Sequence, residues 1–272
     1  MSIIQFSHAN GFPARTYSVL FEQLKGHRIS AINILAENRK AADIKWYDLT
    51  EDILESAGQF GEPVVGVGHS IGGVLTLLAA AKKPELFQTV ILLDPPLFSS
   101  QKRGLISILR ALKIEDLVSP SGKSKKRRDH FESKQQAHSF FQANKMFKNL
   151  HSQSLLDYVT HGLTSVKNGV QLTISVEKEV AIFRTMLTSY PESVYKVPGK
   201  LVYAARNPIL WPTDLRWIKR KFPEMQLIPF PGSHLFPLEN PESTALLIER
   251  CLKFCFYILK KSSIVDSKFI IY

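Results

Sequence analysis

A serine between two glycines carries the strongest chemical signal in this sequence of 272 residues. Gly68, Ser70 and Gly72 form a G-x-S-x-G motif that directly follows the apolar run at 64–67. Between a strand and a helix, this motif holds a nucleophilic serine on a sharp turn. The backbone N–H of Ile71 would then lie at the positive end of the helix, where it can stabilise an oxyanion. The motif predicts acyl transfer through Ser70, although a plain glycine-rich turn has the same composition.

A serine nucleophile needs a base, and His234 is the best placed of the eight histidines. It lies in a Gly-Ser-His segment between the last predicted strand and the last predicted helix, so it can reach the carboxyl edge of a parallel sheet. Other histidines fall in a helical middle segment and are predicted to be ordinary helix residues: His130, His138, His151 and His161. His234 is therefore the predicted base.

The loop at residues 8–13 is predicted to complete an oxyanion hole. Gly11 lets the backbone approach a ligand closely, and the N–H of Phe12 is the predicted second donor beside that of Ile71. The Asn-Gly and Phe-Pro pairs also fit a simple tight turn. Three polar side chains next to these donors are candidates for substrate binding: His8, Asn10 and His69. His8 has a second interpretation, as a hydrogen-bonding brace beneath the loop.

Taken together, these segments resemble the α/β-hydrolase family. Four motifs occur in the family's order: His-Ala-Asn-Gly-Phe-Pro from residue 8, Gly-His-Ser-Ile-Gly-Gly from 68, Leu-Leu-Asp-Pro-Pro from 92 and Gly-Ser-His from 232. The resemblance extends from about residue 3 to residue 259. It implies an α/β-hydrolase fold with a Ser-His-acid triad, but it does not identify the substrate, because the fold hosts many reactions.

The acid of the triad is the point at which this sequence departs from the family pattern. Family members usually place an Asp after the strand that is predicted here at 201–203, where this chain has Asn207 instead. Asp94 ends the predicted strand 90–93, a position that some α/β-hydrolases use, and it is the predicted acid. Asn207 remains open as a neutral, weaker orienter of the histidine. Asp214 is predicted to be a helix N-cap.

The order of predicted elements supports the same fold. Short β-branched and aliphatic runs predict buried strands at 3–6, 29–33, 64–67, 90–93, 201–203 and 226–228. Helical patterns separate most of them, which predicts a mostly parallel sheet flanked by helices. From residue 97 the alternation gives way to mostly helical patterns, at 104–112, 131–147, 154–162 and 177–187. We therefore predict a core from 1–96 and 191–272, with a helical cap at 97–190 inserted after the family's sixth strand.

The charge and composition of the chain limit the kinds of partner that it is expected to bind. The net charge is +11, and residues 97–190 hold 15 Lys and Arg against 7 Asp and Glu. The basic run at 123–128 lacks interleaved aromatic residues, so it is predicted to be a solvated loop, and no nucleic-acid partner is expected. The sequence shows no zinc-ligand spacing and no P-loop lysine, so it predicts neither a metal site nor a cofactor.

The sequence also gives expectations about location and assembly. Cys251 and Cys255 lie four residues apart on a predicted helix, which is poor geometry for a disulfide. The first residues do not resemble an export signal, and the longest apolar run, 71–81, is shorter than the ~20 residues that span a bilayer. We expect a cytoplasmic protein without a transmembrane segment. The apolar segment 269–272 can either pack on the core or support a homodimer.

The leading hypothesis is a serine hydrolase that acts on a small-molecule carboxylic ester or thioester. A carbon–carbon bond hydrolase would have the same triad. A non-catalytic binding protein is the third hypothesis, since Asn207 stands where an acid is usual. Serine at the nucleophile position argues against the haloalkane dehalogenases and epoxide hydrolases, which use a carboxylate.

Overall fold

The structure, a computed structural model, describes residues 1–117 and 119–266, with side chains described as far as residue 253. Its strands are β1 (Ile3–Ser7), β2 (Arg28–Ala31), β3 (Val64–His69), β4 (Phe87–Leu93), β5 (His130–Phe131), β6 (Leu163–Val166), β7 (Gly169–Leu172), β8 (Gly199–Ala204) and β9 (Met225–Phe230). Its helices are α1 (Ser18–Gln23), α2 (Trp46–Gly58), α3 (Ile71–Lys82), α4 (Ser100–Ala111), α5 (Pro120–Ser124), α6 (Lys134–Ala143), α7 (Ser152–His161), α8 (Val176–Arg184), α9 (Pro212–Lys221), α10 (Phe236–Glu239) and α11 (Pro241–Asp266). The segment 269–272 and the side chain of Cys255 lie outside the described residues.

A six-stranded sheet in the order β2-β1-β3-β4-β8-β9 forms the centre of the fold. All neighbouring pairs in it are parallel. Side chains alternate between the two faces, so Ile91 and Leu93 join one apolar cluster while Val90 and Leu92 join another. Both faces are covered, which explains why these strands are continuous apolar runs in the sequence. All six predicted strands lie in this sheet, and the predicted fold class is confirmed.

The strand register gathers the ends that carry the candidate site. His69 at the end of β3 pairs with Leu93 at the end of β4, and Leu93 pairs with Val202 in β8. Because the strands are parallel, the residues that follow them leave the sheet at the same edge. Ser70 and Asp94 therefore start out as neighbours at this edge.

The segment between β4 and β8 contains helices α4 to α8, and it also holds strands that the sequence analysis does not predict. β5, β7 and β6 form a small antiparallel sheet in that order. The predicted helix at 131–147 is wrong at its start and its end, since residues 130–131 form β5 and α6 ends at Ala143. Aromatic rings pack together inside this segment, as expected for its own core: Phe131, Phe141, Phe147 and Tyr158.

Within 1–117 and 119–266, none of the helices combines the length and apolar character needed to cross a bilayer. The same residues contain no group of three or more His, Cys, Asp and Glu side chains arranged to hold a metal ion.

Candidate active site

Ser70 occupies a strained turn between β3 and α3. Its φ of 56° and ψ of −124° are unfavourable for a residue with a side chain and cost of order 1–3 kcal/mol. The turn is held by the Ser70 N–H, which donates to the carbonyl of Leu93 at 2.9 Å. A Cβ on Gly72 would lie 2.2 Å from the carbonyl oxygen of Ser7, so only glycine lets α3 approach β1 this closely. The turn leaves Ser70 partly exposed.

The structure brings His234 between the predicted nucleophile and the predicted acid. Its Nε2 lies 3.0 Å from Oγ of Ser70, and its Nδ1 lies 2.6 Å from Oδ2 of Asp94. The histidine is carried by the loop between β9 and α10. Because the carboxylate accepts a hydrogen bond from the N–H at Nδ1, Nε2 is the unprotonated nitrogen that can take the proton of the serine hydroxyl.

Asp94 is fully buried and is held at the sheet edge by two hydrogen bonds to β8. It adopts a positive φ of 45°, and its N–H donates to the carbonyl of Val202 at 2.7 Å. Its Oδ1 accepts the N–H of Ala204 at 3.0 Å, which leaves Oδ2 for the imidazole of His234. A buried carboxylate is stable when its oxygens are hydrogen-bonded, as both are here.

Asn207 and Asp214 lie elsewhere. Asn207 is exposed and takes the left-handed conformation of a turn residue, with a φ of 48°. The prediction that Asp214 is the N-cap of α9 is wrong, because Asp214 is the third residue of this helix. Its Oδ2 accepts the N–H of the N-cap residue, Trp211, at 2.9 Å. Its Oδ1 accepts the N–H of Ser99 at 2.8 Å, so this carboxylate joins α9 to the chain before α4.

The backbone N–H groups of Ile71 and Phe12, the two predicted oxyanion donors, differ in their hydrogen bonding within the protein. Ile71 is the first residue of α3, where backbone N–H groups have no partner within the helix. The N–H of Phe12 instead donates to the carbonyl of Ala9 at 3.1 Å, in a turn within the loop 8–13. An oxyanion at Phe12 would therefore share this N–H with Ala9.

His69 and Tyr17 form a buried hydrogen-bond chain behind the site. The N–H of Ala9 donates to the Tyr17 hydroxyl at 3.2 Å, and this hydroxyl lies 2.7 Å from Nδ1 of His69. Nε2 of His69 lies 2.8 Å from the carbonyl oxygen of His234 and must donate to it. Burial, together with the nearby His234, lowers the pKa of His69 well below its ordinary value, so the ring is neutral. Both ring nitrogens of this predicted substrate-binding residue are thus used inside the protein.

His8 has the contacts of a brace. Its Nδ1 donates to the carbonyl of Ala9 at 2.8 Å, and its Nε2 accepts the N–H of Leu35 at 2.8 Å. Burial lowers its pKa to about 4. The brace interpretation accounts for both nitrogens, whereas the alternative prediction of substrate binding leaves no ring nitrogen available.

Asn10 connects the loop 8–13 to the segment between β4 and β8. Its Nδ2 donates to the backbone carbonyl of Glu179 in α8 at 2.9 Å. Its Oδ1 is buried and lacks a hydrogen-bond partner in the structure. Among the three predicted substrate-binding side chains, this oxygen is the one polar atom without a hydrogen-bond partner.

A buried cluster around Arg127 was missed by the sequence analysis. The run 123–128 is predicted to be a solvated loop, yet Ser124 ends α5 and Arg127 forms an ion pair with Glu179 at 2.5 Å. Arg127 also contacts the hydroxyl of Tyr158. The partners lie 52 and 31 positions away in the chain, a separation that no local pattern reveals.

A profile of the alpha/beta hydrolase family matches residues 6–245. The chain belongs to this family. It is 32% identical over 108 residues to a type I acyl-CoA thioesterase of Penicillium brevicompactum, an alignment that covers 33% of this chain and 25% of the fungal protein. The aligned part thus spans about a quarter of the length of the curated relatives.

Solved structures show the same α/β-hydrolase fold. The peroxisomal alpha-beta-hydrolase Lpx1 of Saccharomyces cerevisiae has a TM-score of 0.72 at 17% identity, over 99% of this chain and 86% of that protein. A thioesterase domain from the curacin biosynthetic pathway has a TM-score of 0.69 at 19% identity, over 91% of this chain and 90% of the domain. At 17% and 19% identity, these structures establish the fold of this α/β-hydrolase and nothing about its substrate.

Proposed function

We propose that this α/β-hydrolase cleaves a carboxylic ester or thioester through an acyl-enzyme on Ser70. The observation that carries the proposal is the continuous hydrogen-bond chain from Asp94 through His234 to Ser70, with distances of 2.6 and 3.0 Å. These three groups supply an acid, a base and a nucleophile in the order that acyl transfer needs. The strained turn at Ser70 supports the same role, since strain of this kind clusters at active sites.

In the proposed acylation step, Nε2 of His234 accepts the proton of the Ser70 hydroxyl while Oγ attacks the acyl carbonyl. Asp94 stabilises the imidazolium that forms, and the N–H groups of Ile71 and Phe12 stabilise the oxyanion. His234 then gives its proton to the departing alcohol or thiol. Neutral His69 adds no positive charge beside this imidazolium, because its pKa is low.

In the proposed deacylation step, His234 removes a proton from water, and the hydroxide formed attacks the acyl-enzyme. Collapse of the second tetrahedral intermediate releases the carboxylic acid and returns the proton from Nε2 to Oγ of Ser70. All groups in this cycle belong to the chain itself or to water.

The segment 97–190 is proposed to be the cap that roofs the acyl site. Its aromatic rings support this role, because Phe147 and Tyr158 pack against Phe12 with centroid distances of 5.6 and 5.3 Å. They provide an apolar surface beside the loop that would hold the oxyanion. The Penicillium relative is a type I acyl-CoA thioesterase, which is the reason to include thioesters among the proposed substrates.

The test is hydrolysis of p-nitrophenyl esters of increasing acyl length and of matching acyl-CoA thioesters. Wild type and Ser70→Ala would be compared, with Ser107→Ala, at an exposed position of α4, as the matched control. We expect Ser70→Ala to lose activity and Ser107→Ala to keep it. Hydrolysis that survives in Ser70→Ala would overturn the proposal. Wild type that cleaves carbon–carbon substrates but neither esters nor thioesters would support the carbon–carbon bond hydrolase instead.

A further inference from the structure

A buried ion pair lies directly against the loop 8–13. A Cβ on Gly11 would lie 3.0 Å from Oε2 of Glu179 and 3.1 Å from Nη1 of Arg127. The two charged side chains are 8% and 17% exposed. Gly11 has a φ of +78°, so the loop has both the conformation and the small residue that allow this approach.

Further contacts fix the pair in place. Oε1 of Glu179 accepts the hydroxyl of Ser124 at 2.6 Å, and Nη2 of Arg127 contacts the hydroxyl of Tyr158. The backbone carbonyl of Glu179 accepts the side-chain amide of Asn10 at 2.9 Å. The pair therefore joins α5, α7 and α8 to the loop, at a point next to the proposed oxyanion donor Phe12.

We propose that Arg127 and Glu179 are positioning residues, which hold the loop 8–13 so that the N–H of Phe12 stays within reach of the reacting carbonyl. The inference rests on the proposed serine hydrolase function. An oxyanion hole works only when its donors are fixed before the charge develops, and a displacement of about 1 Å can cost about 100-fold in rate. The pair does this by packing against Gly11 at the position that a Cβ would fill, whereas a buried ion pair by itself adds little to stability.

The geometry argues against a second role for Arg127, as the anchor of a substrate carboxylate. Its Nη1 is occupied by Glu179 and its Nη2 by Tyr158, and Glu179 neutralises its charge. An anchor would become stronger when Glu179 loses its charge, so Glu179→Gln would lower KM for acidic acyl substrates. A positioning pair instead predicts a lower kcat on neutral esters after the same change.

The experiment measures kcat and KM on a neutral ester for Arg127→Met, Glu179→Gln and the double variant. Arg184→Met is the matched control, because it removes the Arg184–Asp116 ion pair from the same segment of the chain. We expect kcat to fall about 10- to 100-fold in the three test variants, with KM within about threefold of wild type. A boronic acid inhibitor should lose affinity in parallel, since its tetrahedral adduct with Ser70 places an oxygen in the hole. Arg184→Met should keep both values.

Unfolding curves of the same variants separate positioning from plain stabilisation. A single variant leaves one buried charge unpaired, whereas the double variant leaves none, so the double variant should regain stability. If the pair only stabilises the fold, kcat of the double variant should recover together with its stability. If the pair positions the loop, as we propose, kcat of the double variant should stay low. Should a single variant fail to fold, Tyr158→Phe removes only one contact of Arg127 and should lower kcat in the same direction.

Two results would overturn the inference in different ways. A kcat in Arg127→Met, Glu179→Gln and Tyr158→Phe equal to that of Arg184→Met would refute positioning and leave the serine hydrolase intact. Wild type without Ser70-dependent hydrolysis would refute the proposed function, and the inference with it.

Discussion

Nδ1 of His234 lies 2.6 Å from Oδ2 of Asp94, and the two residues are 140 positions apart in the chain. The other carboxylate oxygen of Asp94 accepts the N–H of Ala204, so the side chain cannot rotate without losing a buried hydrogen bond. The imidazole is therefore held in the tautomer that has its proton on Nδ1. Loss of the carboxylate at Asp94 should therefore release this tautomer and slow catalysis.

We predict that Asp94→Asn lowers kcat by about 10⁴-fold, because an amide NH₂ facing Nδ1 favours the wrong tautomer of His234. The amide oxygen can still accept the N–H of Ala204, so the variant should fold. Steady-state hydrolysis of the best ester, together with an unfolding curve, measures both effects. A loss smaller than tenfold would contradict the assignment of Asp94.

The matched tests use Asn207. Because it is exposed and lies outside the hydrogen-bond chain, Asn207→Ala should leave kcat unchanged. The double variant Asp94→Asn with Asn207→Asp should remain as inactive as Asp94→Asn alone. Restored turnover in the double variant would instead favour Asn207 as the position of the acid.

The central sheet could be predicted from the sequence because its strands are buried on both faces. Such strands are continuous apolar runs, and Val90 and Leu92 point to one cluster while Ile91 and Leu93 point to the other. The strands β5, β6 and β7 are two to four residues long and partly exposed, so they lack such a run. They pair with each other through long-range contacts, which a local pattern does not contain.

The roles of individual side chains could likewise be predicted only where the sequence has a local pattern. Ser70 has a local signature, because its turn requires glycine at fixed positions, and His234 follows from its place after the last strand. The ion pair of Arg127 and Glu179 has none, since its basic member lies in a run of Lys and Arg that otherwise faces solvent. Likewise, the sequence suggests two roles for His8, and only the two backbone partners of its ring distinguish them.

Tyr17→Phe tests the hydrogen-bond chain behind the site. The change leaves the buried N–H of Ala9 and Nδ1 of His69 without their partner, which should lower the free energy of unfolding by about 1–3 kcal/mol. Since His69 also holds the carbonyl of His234, we expect a lower kcat as well. Urea unfolding and ester hydrolysis give the two values. Tyr47→Phe, at an exposed position of α2, is the control and should change neither value. Equal behaviour of the two variants would refute the role of Tyr17.

Gly72→Ala tests the close approach of α3 to β1. The added methyl group would lie 2.2 Å from the carbonyl oxygen of Ser7, so the backbone must shift and the turn at Ser70 must move with it. We expect a large loss of stability and of hydrolysis. Gly104→Ala in α4 meets no atom within 4 Å and should stabilise the protein by about 0.5–1 kcal/mol, because alanine favours a helix. Thermal unfolding gives the Tm of both variants. An unchanged Tm in Gly72→Ala would contradict the predicted loss of stability.

The pKa of His8 predicts how stability depends on pH. Burial lowers this pKa to about 4 from 6.5, so between these values the unfolded chain binds a proton that the folded chain does not. The contribution of neutral His8 is therefore complete above about pH 6.5 and is lost as the pH falls toward 4, by roughly 3 kcal/mol in total. Urea unfolding at pH 7, 6 and 5 should show a smaller pH dependence in His8→Gln, which keeps a donor and an acceptor but does not titrate. Exposed His130→Gln should follow wild type, and parallel curves for His8→Gln and wild type would show that His8 is not the group responsible.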